Sequence, residues 1–259
     1  MSDDLASESG ITDANLAVKP ELTILYQDEH FVAVDKPAGL FVHRSFMDKH
    51  EQYFALQLVR DLVGQYVYPV HRLDRPTSGV LLFALSEQAA RLMGLAFSER
   101  TVNKTYYALT RGHLLNEGVI DHPLKEKLDK IGDKGANPDK PPQSAQTYYR
   151  TVETAALPIA LGKYDSVRYS LVKLNPHTGR RHQIRRHLAH LRHPIIGDIN
   201  YGDNKQNPFF INHFGFKRLM LMAKSLEFIH PVTNKTCKIE AKFDEQWLSV
   251  FKQLNWDLS

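Results

Sequence analysis

The hydrophobic pattern is strongest at residues 69–85, where a charged turn leads directly into a solid apolar run. The run, Val80 to Leu85, has the length and character of a strand buried at the centre of a sheet. The turn formers that precede it are Pro76, Ser78 and Gly79. The same turn contains one carboxylate, Asp74, which the pattern therefore places at the entrance to the core.

Elsewhere the pattern alternates between short strands and amphipathic helices. Strands are predicted at residues 22–26, 31–34, 102–110, 147–152 and 168–174. Helices are predicted at about 48–64, 87–100 and 181–192, the second of them capped by Ser86. Hairpins with only a few flanking helices favour an α+β fold with a large mixed, mostly antiparallel sheet over a regular βαβ alternation.

Two segments lack this pattern. Residues 1–20 are acidic and have no periodic apolar positions, which predicts a disordered tail. Residues 125–142 contain five Lys, four acidic residues and three Pro, which favours an exposed, solvated insertion. Strand and helix patterns continue on both sides of this insertion, so residues 21–259 are predicted to form a single domain.

The distribution of charge is more informative than the net charge of +4. No acidic residue lies between Asp165 and Asp198, whereas that segment contains seven Arg and Lys residues and five His residues. Such a surface is expected to face phosphates. The chain has one cysteine, Cys237, no leader pattern and no apolar run of membrane-spanning length, so we expect a soluble, cytosolic protein without disulfides.

The arginines of the predicted helix at 181–192 differ in their surroundings. Arg185 lies at the margin of the apolar stripe, where it can be partly buried and reach a carboxylate. Arg181, Arg186 and Arg192 are better placed for solvent or phosphate. The alternative is a soluble basic helix without a function, although such helices usually carry Glu and Asp as well.

Asp74 is flanked in sequence by Arg72 and Arg75, and it suits a general base or nucleophile held ionised by its neighbours. The alternative is a loop salt bridge that closes the entrance of the strand. Tyr106 and Tyr107 are consecutive in a predicted strand, so only one of them can face a site beside Asp74.

Other chemistries fit less well. His187, His190 and His193 are three residues apart and do not share one helix face, which argues against a metal site. The chain contains no Gly-x-Ser-x-Gly motif and no Gly-rich phosphate loop, so neither a serine hydrolase nor a nucleotide-dependent enzyme is predicted. A non-catalytic RNA-binding module remains an alternative, given the arginines and eleven tyrosines.

Three segments resemble the signature motifs of the RluA-type pseudouridine synthases. They are residues 71–79 (His-Arg-Leu-Asp-Arg-Pro-Thr-Ser-Gly), residues 104–106 (Lys-Thr-Tyr) and residues 178–188 (Thr-Gly-Arg-Arg-His-Gln-Ile-Arg-Arg-His-Leu). Residues 28–39 also look like the entry strand of that family. The resemblance covers about residues 22–250 and implies the catalytic fold of the family without an S4-like RNA-binding domain.

The resemblance also implies roles for particular residues. Asp74 would either attack C1′ of a uridine or remove its C2′ proton. Arg185 would pair with Asp74, and Tyr106 would stack on the base. Arg72 would fill the space left by the flipped base, and Arg75 is assigned with it to RNA binding. Phosphates would be held by Arg180, Arg181 and Arg186.

A narrower likeness concerns residues 42–45, the insertion and the run from Arg185 to Asp198. It is shared with members of the family that modify tRNA, and it implies uridine 65 of the T-stem as the target. Another tRNA or rRNA uridine is the alternative. We expect a monomer that acts on tRNA, without metal, nucleotide or other cofactor and without a membrane.

Overall fold

A computed structural model describes residues 19–44, 51–114, 116–126 and 141–258 of the chain. The predicted tail at 1–20 lies almost entirely outside these ranges, and so does most of the predicted insertion at 125–142. Both of these assignments therefore stay predictions.

The described strands form one ten-stranded sheet with the order β1-β2-β4-β9-β5-β8-β7-β6, to which β3 adds beside β4 and β10 beside β9. The strands are β1 (Thr23–Gln27), β2 (Phe31–Lys36), β3 (Tyr68–Pro69), β4 (Ser78–Ala84), β5 (Asn103–Arg111), β6 (Glu117–Asp121), β7 (Gln146–Leu157), β8 (Val167–Pro176), β9 (Leu221–Ile229) and β10 (Thr236–Glu240). Of the pairings among them, β4 with β9 is parallel and the others are antiparallel. The predicted mixed, mostly antiparallel sheet is confirmed.

Strand β4 is the buried strand that the apolar run predicted, and every one of its residues is buried. It lies between β2 and β9, and its parallel pairing with β9 begins at Ser78 and Gly79. Gly79 has a φ of +109°, and a Cβ added there would lie 2.1 Å from the carbonyl oxygen of Ala223. Only glycine therefore fits where the Asp74 turn enters the sheet.

The helices are α1 (Ala55–Val63), α2 (Glu87–Ser98), α3 (Gln183–His190), α4 (Gln206–Phe214) and α5 (Glu245–Gln253). Ser86 caps α2 as predicted, since its hydroxyl accepts a hydrogen bond from the backbone N–H of Ala89 at 3.2 Å. Helix α1 begins at Ala55, so residues 51–54 of the predicted span 48–64 are not helical, and residues 48–50 lie outside the described residues. Its first N–H groups, from Ala55 and Leu56, donate to the carbonyls of Phe41 and Val42, and this pairing fixes a later start.

The two faces of the sheet are covered by different helices because strand side chains alternate. In β4, Leu81 and Phe83 pack with Ala55, Leu58 and Val59 of α1. Val80 and Leu82 belong to the larger core on the opposite face, which contains apolar residues of the other four helices. No helix in the part of the chain that the structure describes is long and apolar enough to cross a membrane.

Candidate active site

A cavity of about 820 Å³ lies where the three sequence motifs meet. It is lined by the turn before β4, by the first half of β5 and by the segment that joins β8 to α3. Among the lining residues are Arg72, Asp74, Tyr106, Arg180, Arg181 and Arg185. A cavity of this size has room for a nucleoside.

A backbone hydrogen bond fixes the position of Asp74, whereas its carboxylate lies at long distances from the two cationic side chains beside it. Its carbonyl accepts a hydrogen bond from the N–H of Thr77 at 3.0 Å, which closes the turn. The carboxylate is 20% exposed, and its Oδ2 lies 3.5 Å from Nη1 of Arg185. Its Oδ1 lies 3.9 Å from Nε2 of His182. Both distances exceed those of good hydrogen bonds, so the oxygens retain capacity to accept protons or contact a substrate.

The side chains of Lys36 and His71 hold the turn in place through hydrogen bonds to the backbone. Lys36 is fully buried, and its ammonium donates to the carbonyls of Pro37 and Leu40 at 2.8 Å and of Arg75 at 3.1 Å. Burial lowers the pKa of Lys36 to about 7, although the negative charge of Asp74 opposes this. His71 accepts a hydrogen bond at Nε2 from the N–H of Leu82, and burial lowers its pKa to about 3. The turn is thereby tied to both β2 and β4.

Arg185 approaches Asp74, as the resemblance implied, but its strongest partner is a residue that the sequence reasoning missed. Nε and Nη2 of Arg185 donate to the two carboxylate oxygens of Asp198 at 2.8 and 2.9 Å, and both side chains are buried. Burial alone would raise the pKa of Asp198, but these bonds and the backbone N–H groups of Asn200 and Tyr201 lower it. Asp198 is the first acidic residue after the acid-free segment, which was its only signal in the sequence.

The turn before α3 is held by one amide side chain. Oε1 of buried Gln183 accepts from the hydroxyl of Thr178 at 2.7 Å and from the N–H of Arg180 at 3.0 Å. Its Nε2 donates to the Gln146 carbonyl and to the Thr147 hydroxyl. Helix α3 therefore begins at Gln183, two residues later than predicted, and His182 precedes it in a left-handed conformation.

Tyr106 faces the cavity and Tyr107 the opposite side, where its ring contacts Phe243. The pairing of β5 with β9 is irregular between Thr105 and Tyr106, and such a bulge changes the direction in which a side chain points. Burial raises the pKa of Tyr106, and the nearby charge of Asp74 raises it further. The phenol is therefore neutral near pH 7.

The other arginines separate into two groups. Arg72, Arg180 and Arg181 line the cavity, whereas Arg75 and Arg186 do not. The expectation that Arg75 acts as a charge partner of Asp74 is wrong, because its guanidinium donates to the Gly39 carbonyl at 3.0 Å and to the Glu51 carboxylate at 2.7 Å. Sequence reasoning gave no role to Lys104, although it lies in one of the three motifs, and it missed two further residues of the lining, Arg100 and His177.

The histidines of α3 and its C-terminal end have hydrogen-bond or stacking partners of their own. His187 is buried, with Nδ1 2.9 Å from the Thr147 hydroxyl and Nε2 3.1 Å from the His122 carbonyl. His190 stacks on the His122 ring with centroids 3.8 Å apart. Within residues 19–44, 51–114, 116–126 and 141–258 no group of three or more His, Cys, Asp or Glu residues is arranged to hold a metal.

Comparison with known proteins identifies the class. A sequence model described as RNA pseudouridylate synthase matches residues 30–190, and the chain belongs to this family. The chain is 54% identical over 238 residues to tRNA pseudouridine synthase C of Pasteurella multocida, which covers 92% of this chain and 98% of that protein. It is 52% identical to the protein of the same name from Yersinia pestis, with 91% of each chain covered.

Solved structures agree with the fold. Human RNA pseudouridylate synthase domain containing 4 superposes with a TM-score of 0.67 at 25% identity, over 91% of this chain and 94% of the human one. Human RNA pseudouridylate synthase domain containing 1 gives a TM-score of 0.66 at 26% identity, over 89% and 91%. The predicted pseudouridine synthase catalytic fold is confirmed.

Proposed function

We propose that this chain isomerises uridine to pseudouridine in tRNA. The observation that carries the proposal is the position of Asp74, whose carboxylate lines a nucleoside-sized cavity together with Arg185 and Tyr106 and makes only long side-chain contacts to the described residues. The family supplies the reaction, and the names of relatives that match nearly the whole chain supply tRNA as the substrate.

Asp74 is the reacting carboxylate in this proposal. The reaction breaks the C1′–N1 bond of a uridine, turns the base over and joins it to the ribose through C5. A carboxylate begins this either by attacking C1′, which displaces the base, or by removing the C2′ proton, which gives a glycal. Either route needs a free oxygen lone pair beside the ribose, and Asp74 has this capacity.

Arg185 and Tyr106 act beside Asp74 in this proposal, the first by orienting the carboxylate and the second by contacting the base. Arg185 is held by Asp198, so its remaining amine, Nη1, points to Asp74 without having to be ordered by the substrate. The neutral phenol of Tyr106 offers a flat ring for the uracil and a hydroxyl for proton transfer at C5.

The rim of the cavity provides positive charge for the RNA backbone. Arg180, Arg181 and His177 come from the segment between β8 and α3, and Arg100 and Lys104 come from the end of α2 and the start of β5. Arg72 is exposed within the lining and would take the space left by the flipped base. Arg75 and Arg186 would contact RNA only outside the cavity. Binding should therefore weaken steeply as salt is raised.

The finer assignment is uridine 65 in the T-stem of tRNA, modified by a cytoplasmic monomer without a cofactor. It is supported by the likeness of residues 42–45 and of the run from Arg185 to Asp198 to tRNA-modifying relatives.

The test is to map pseudouridines by carbodiimide-dependent primer extension in tRNA from cells with and without the protein. A stop at position 65 that appears only with the protein is expected, and Asp74→Asn should remove it. A stop at another uridine would overturn the position but retain the activity. No protein-dependent stop in any RNA would overturn the function itself.

A further inference from the structure

We propose that His182 is a second positioning residue for the reacting carboxylate: its Nε2 is placed to donate a hydrogen bond to Oδ1 of Asp74 when tRNA is bound, with its ring fixed by the hydroxyl of Tyr201. In the structure Nε2 lies 3.9 Å from that oxygen, and Nδ1 lies 3.0 Å from the Tyr201 hydroxyl. The inference rests on the proposed role of Asp74, and it gives this carboxylate a second partner beside Arg185.

The backbone of His182 is the first support. Its φ of 55° and ψ of 28° are left-handed, a conformation that non-glycine residues rarely adopt and that the surrounding structure must enforce. Here the carbonyl of His182 accepts from the N–H of Arg186 at 2.9 Å, and the turn before it is held by Gln183. Glycine would adopt this backbone conformation more readily, but it has no side chain. With histidine here, an imidazole lines the cavity beside Asp74.

The partners of the ring define its tautomer. A carboxylate oxygen only accepts hydrogen bonds, whereas a tyrosine hydroxyl can donate or accept. The favourable arrangement therefore places the proton on Nε2, toward Asp74, and leaves Nδ1 to accept from Tyr201. The distance of 3.9 Å is long for a direct bond. Catalytic hydrogen bonds are often long without substrate and shorten in the complex.

Tyr201 links both partners of Asp74 to one anchor. Its backbone N–H donates to Oδ1 of Asp198 at 3.0 Å, and its ring lies under the Arg185 guanidinium at 5.2 Å. Asp198 therefore fixes Arg185 directly and His182 through Tyr201. The two oxygens of Asp74 are approached from one connected network, which sets the direction of the carboxylate.

Burial is the main reason why the imidazole ring of His182 stays neutral, and the charged groups around it act in opposite directions. Burial lowers the pKa of His182, and the positive charges of Arg185 and Arg181 act in the same direction, while Asp74 and Asp198 oppose them. A neutral imidazole donates a hydrogen bond without taking up a proton. His182 therefore supports Asp74 in either route without competing with it as a proton acceptor.

The experiment compares His182→Gln and His182→Asn in single-turnover tritium release from tRNA labelled at uridine C5. The amide of Gln extends about as far as Nε2 and can still donate to Asp74. The amide of Asn reaches about as far as Nδ1, so it loses that contact, yet Asn tolerates the left-handed backbone well. His190→Asn, an exposed change on the same helix, is the matched control.

We expect His182→Asn to lower the rate at saturating enzyme about 10- to 100-fold, with the Kd for tRNA unchanged. His182→Gln should recover most of that loss, and His190→Asn should react like the wild type. Equal rates for the Gln and Asn variants, or a loss that lies entirely in Kd, would overturn the role of His182. An inactive wild-type protein would instead refute the proposed function.

Discussion

Asp28 and Asp74 are both aspartates that meet a histidine and a tyrosine, and their side chains are similarly covered, at 27% and 20% exposure. Asp28 has its oxygens fully used. Oδ1 accepts from the N–H groups of His30 and Phe31 at 2.7 Å, and Oδ2 accepts from the Tyr26 hydroxyl at 2.5 Å and from His230 Nε2 at 2.9 Å.

Asp74 has the same kinds of neighbours at longer range. His182 is 3.9 Å away and Arg185 is 3.5 Å away. Tyr106 lines the same cavity and interacts with Asp74 through its charge. Exposure therefore does not distinguish the two carboxylates, whereas hydrogen-bond saturation does. A saturated carboxylate stabilises the fold, and one with free lone pairs at a cavity is available for chemistry.

The largest difference between the two should appear in activity. Asp74→Asn is expected to lower tritium release by about a thousand-fold or more while RNA binding persists, because the amide cannot act as base or nucleophile. Asp28→Asn should leave the turnover of folded protein unchanged. Near-normal release by Asp74→Asn would remove this residue from the mechanism.

Asp198 is a third case: its carboxylate oxygens accept hydrogen bonds from several groups, as those of Asp28 do, but it lies next to the site. Asp198→Asn should lower the free energy of unfolding by about 3–5 kcal/mol, because it breaks a buried pair and leaves Arg185 without its main partner. Urea unfolding measures this. The control is Asp61→Asn, whose exposed pair with Arg60 contributes about 0–1 kcal/mol. Equal losses in the two variants would contradict the buried pairing.

Tyr106, which lies near Asp74, should matter for activity, whereas Tyr26, which bonds to Asp28, should not. Tyr106→Phe retains the ring but removes the hydroxyl, so we expect turnover to fall about 100-fold with RNA binding and stability nearly unchanged. Tyr106→Ala should also weaken binding. Tyr26→Phe should leave the rate unchanged. A binding loss in Tyr106→Phe as large as that in Tyr106→Ala would show that the hydroxyl, and not the ring, holds the base.

The smallest expected effect is on the free energy of unfolding when Asp28 is replaced, and on how that free energy depends on pH. Asp28→Asn should cost about 1–3 kcal/mol at pH 7. Burial alone would raise the pKa of Asp28, but the bonds from Tyr26, His30 and Phe31 and the charge of His230 lower it. A depressed pKa stabilises the fold fully above the unfolded value of about 3.9, and this stabilisation disappears as pH falls through the folded value.

The difference in unfolding free energy between wild type and Asp28→Asn should therefore be complete above about pH 4 and narrow in more acidic solution. Urea titrations of both proteins between pH 7 and pH 3 measure it. A difference that grows on acidification would show that the carboxylate is not held ionised by its neighbours.

Local chemistry determined much of this protein from the sequence. The apolar run after Asp74 predicted a buried strand, and the Ser86 cap and the strand at Tyr106 follow from short-range preferences. The alternation of side chains along that strand showed that only one of the two tyrosines could face the site, and the resemblance to the family indicated Tyr106. The position of Asp74 at the edge of the core could be predicted for the same reason, because a turn residue directly before a buried strand must lie at the end of that strand. The family motifs added the roles that Asp74, Tyr106 and Arg185 are expected to have.

Tertiary structure decided which charges meet. Sequence neighbours suggested Arg72 and Arg75 as partners of Asp74, but the chain turns Arg75 toward Glu51 and brings Arg185 and His182 from more than a hundred residues away. Asp198, which holds Arg185, was likewise invisible as a partner. Ion pairs depend on distances between side chains that only the folded backbone sets, whereas strands and caps depend on residues a few positions apart.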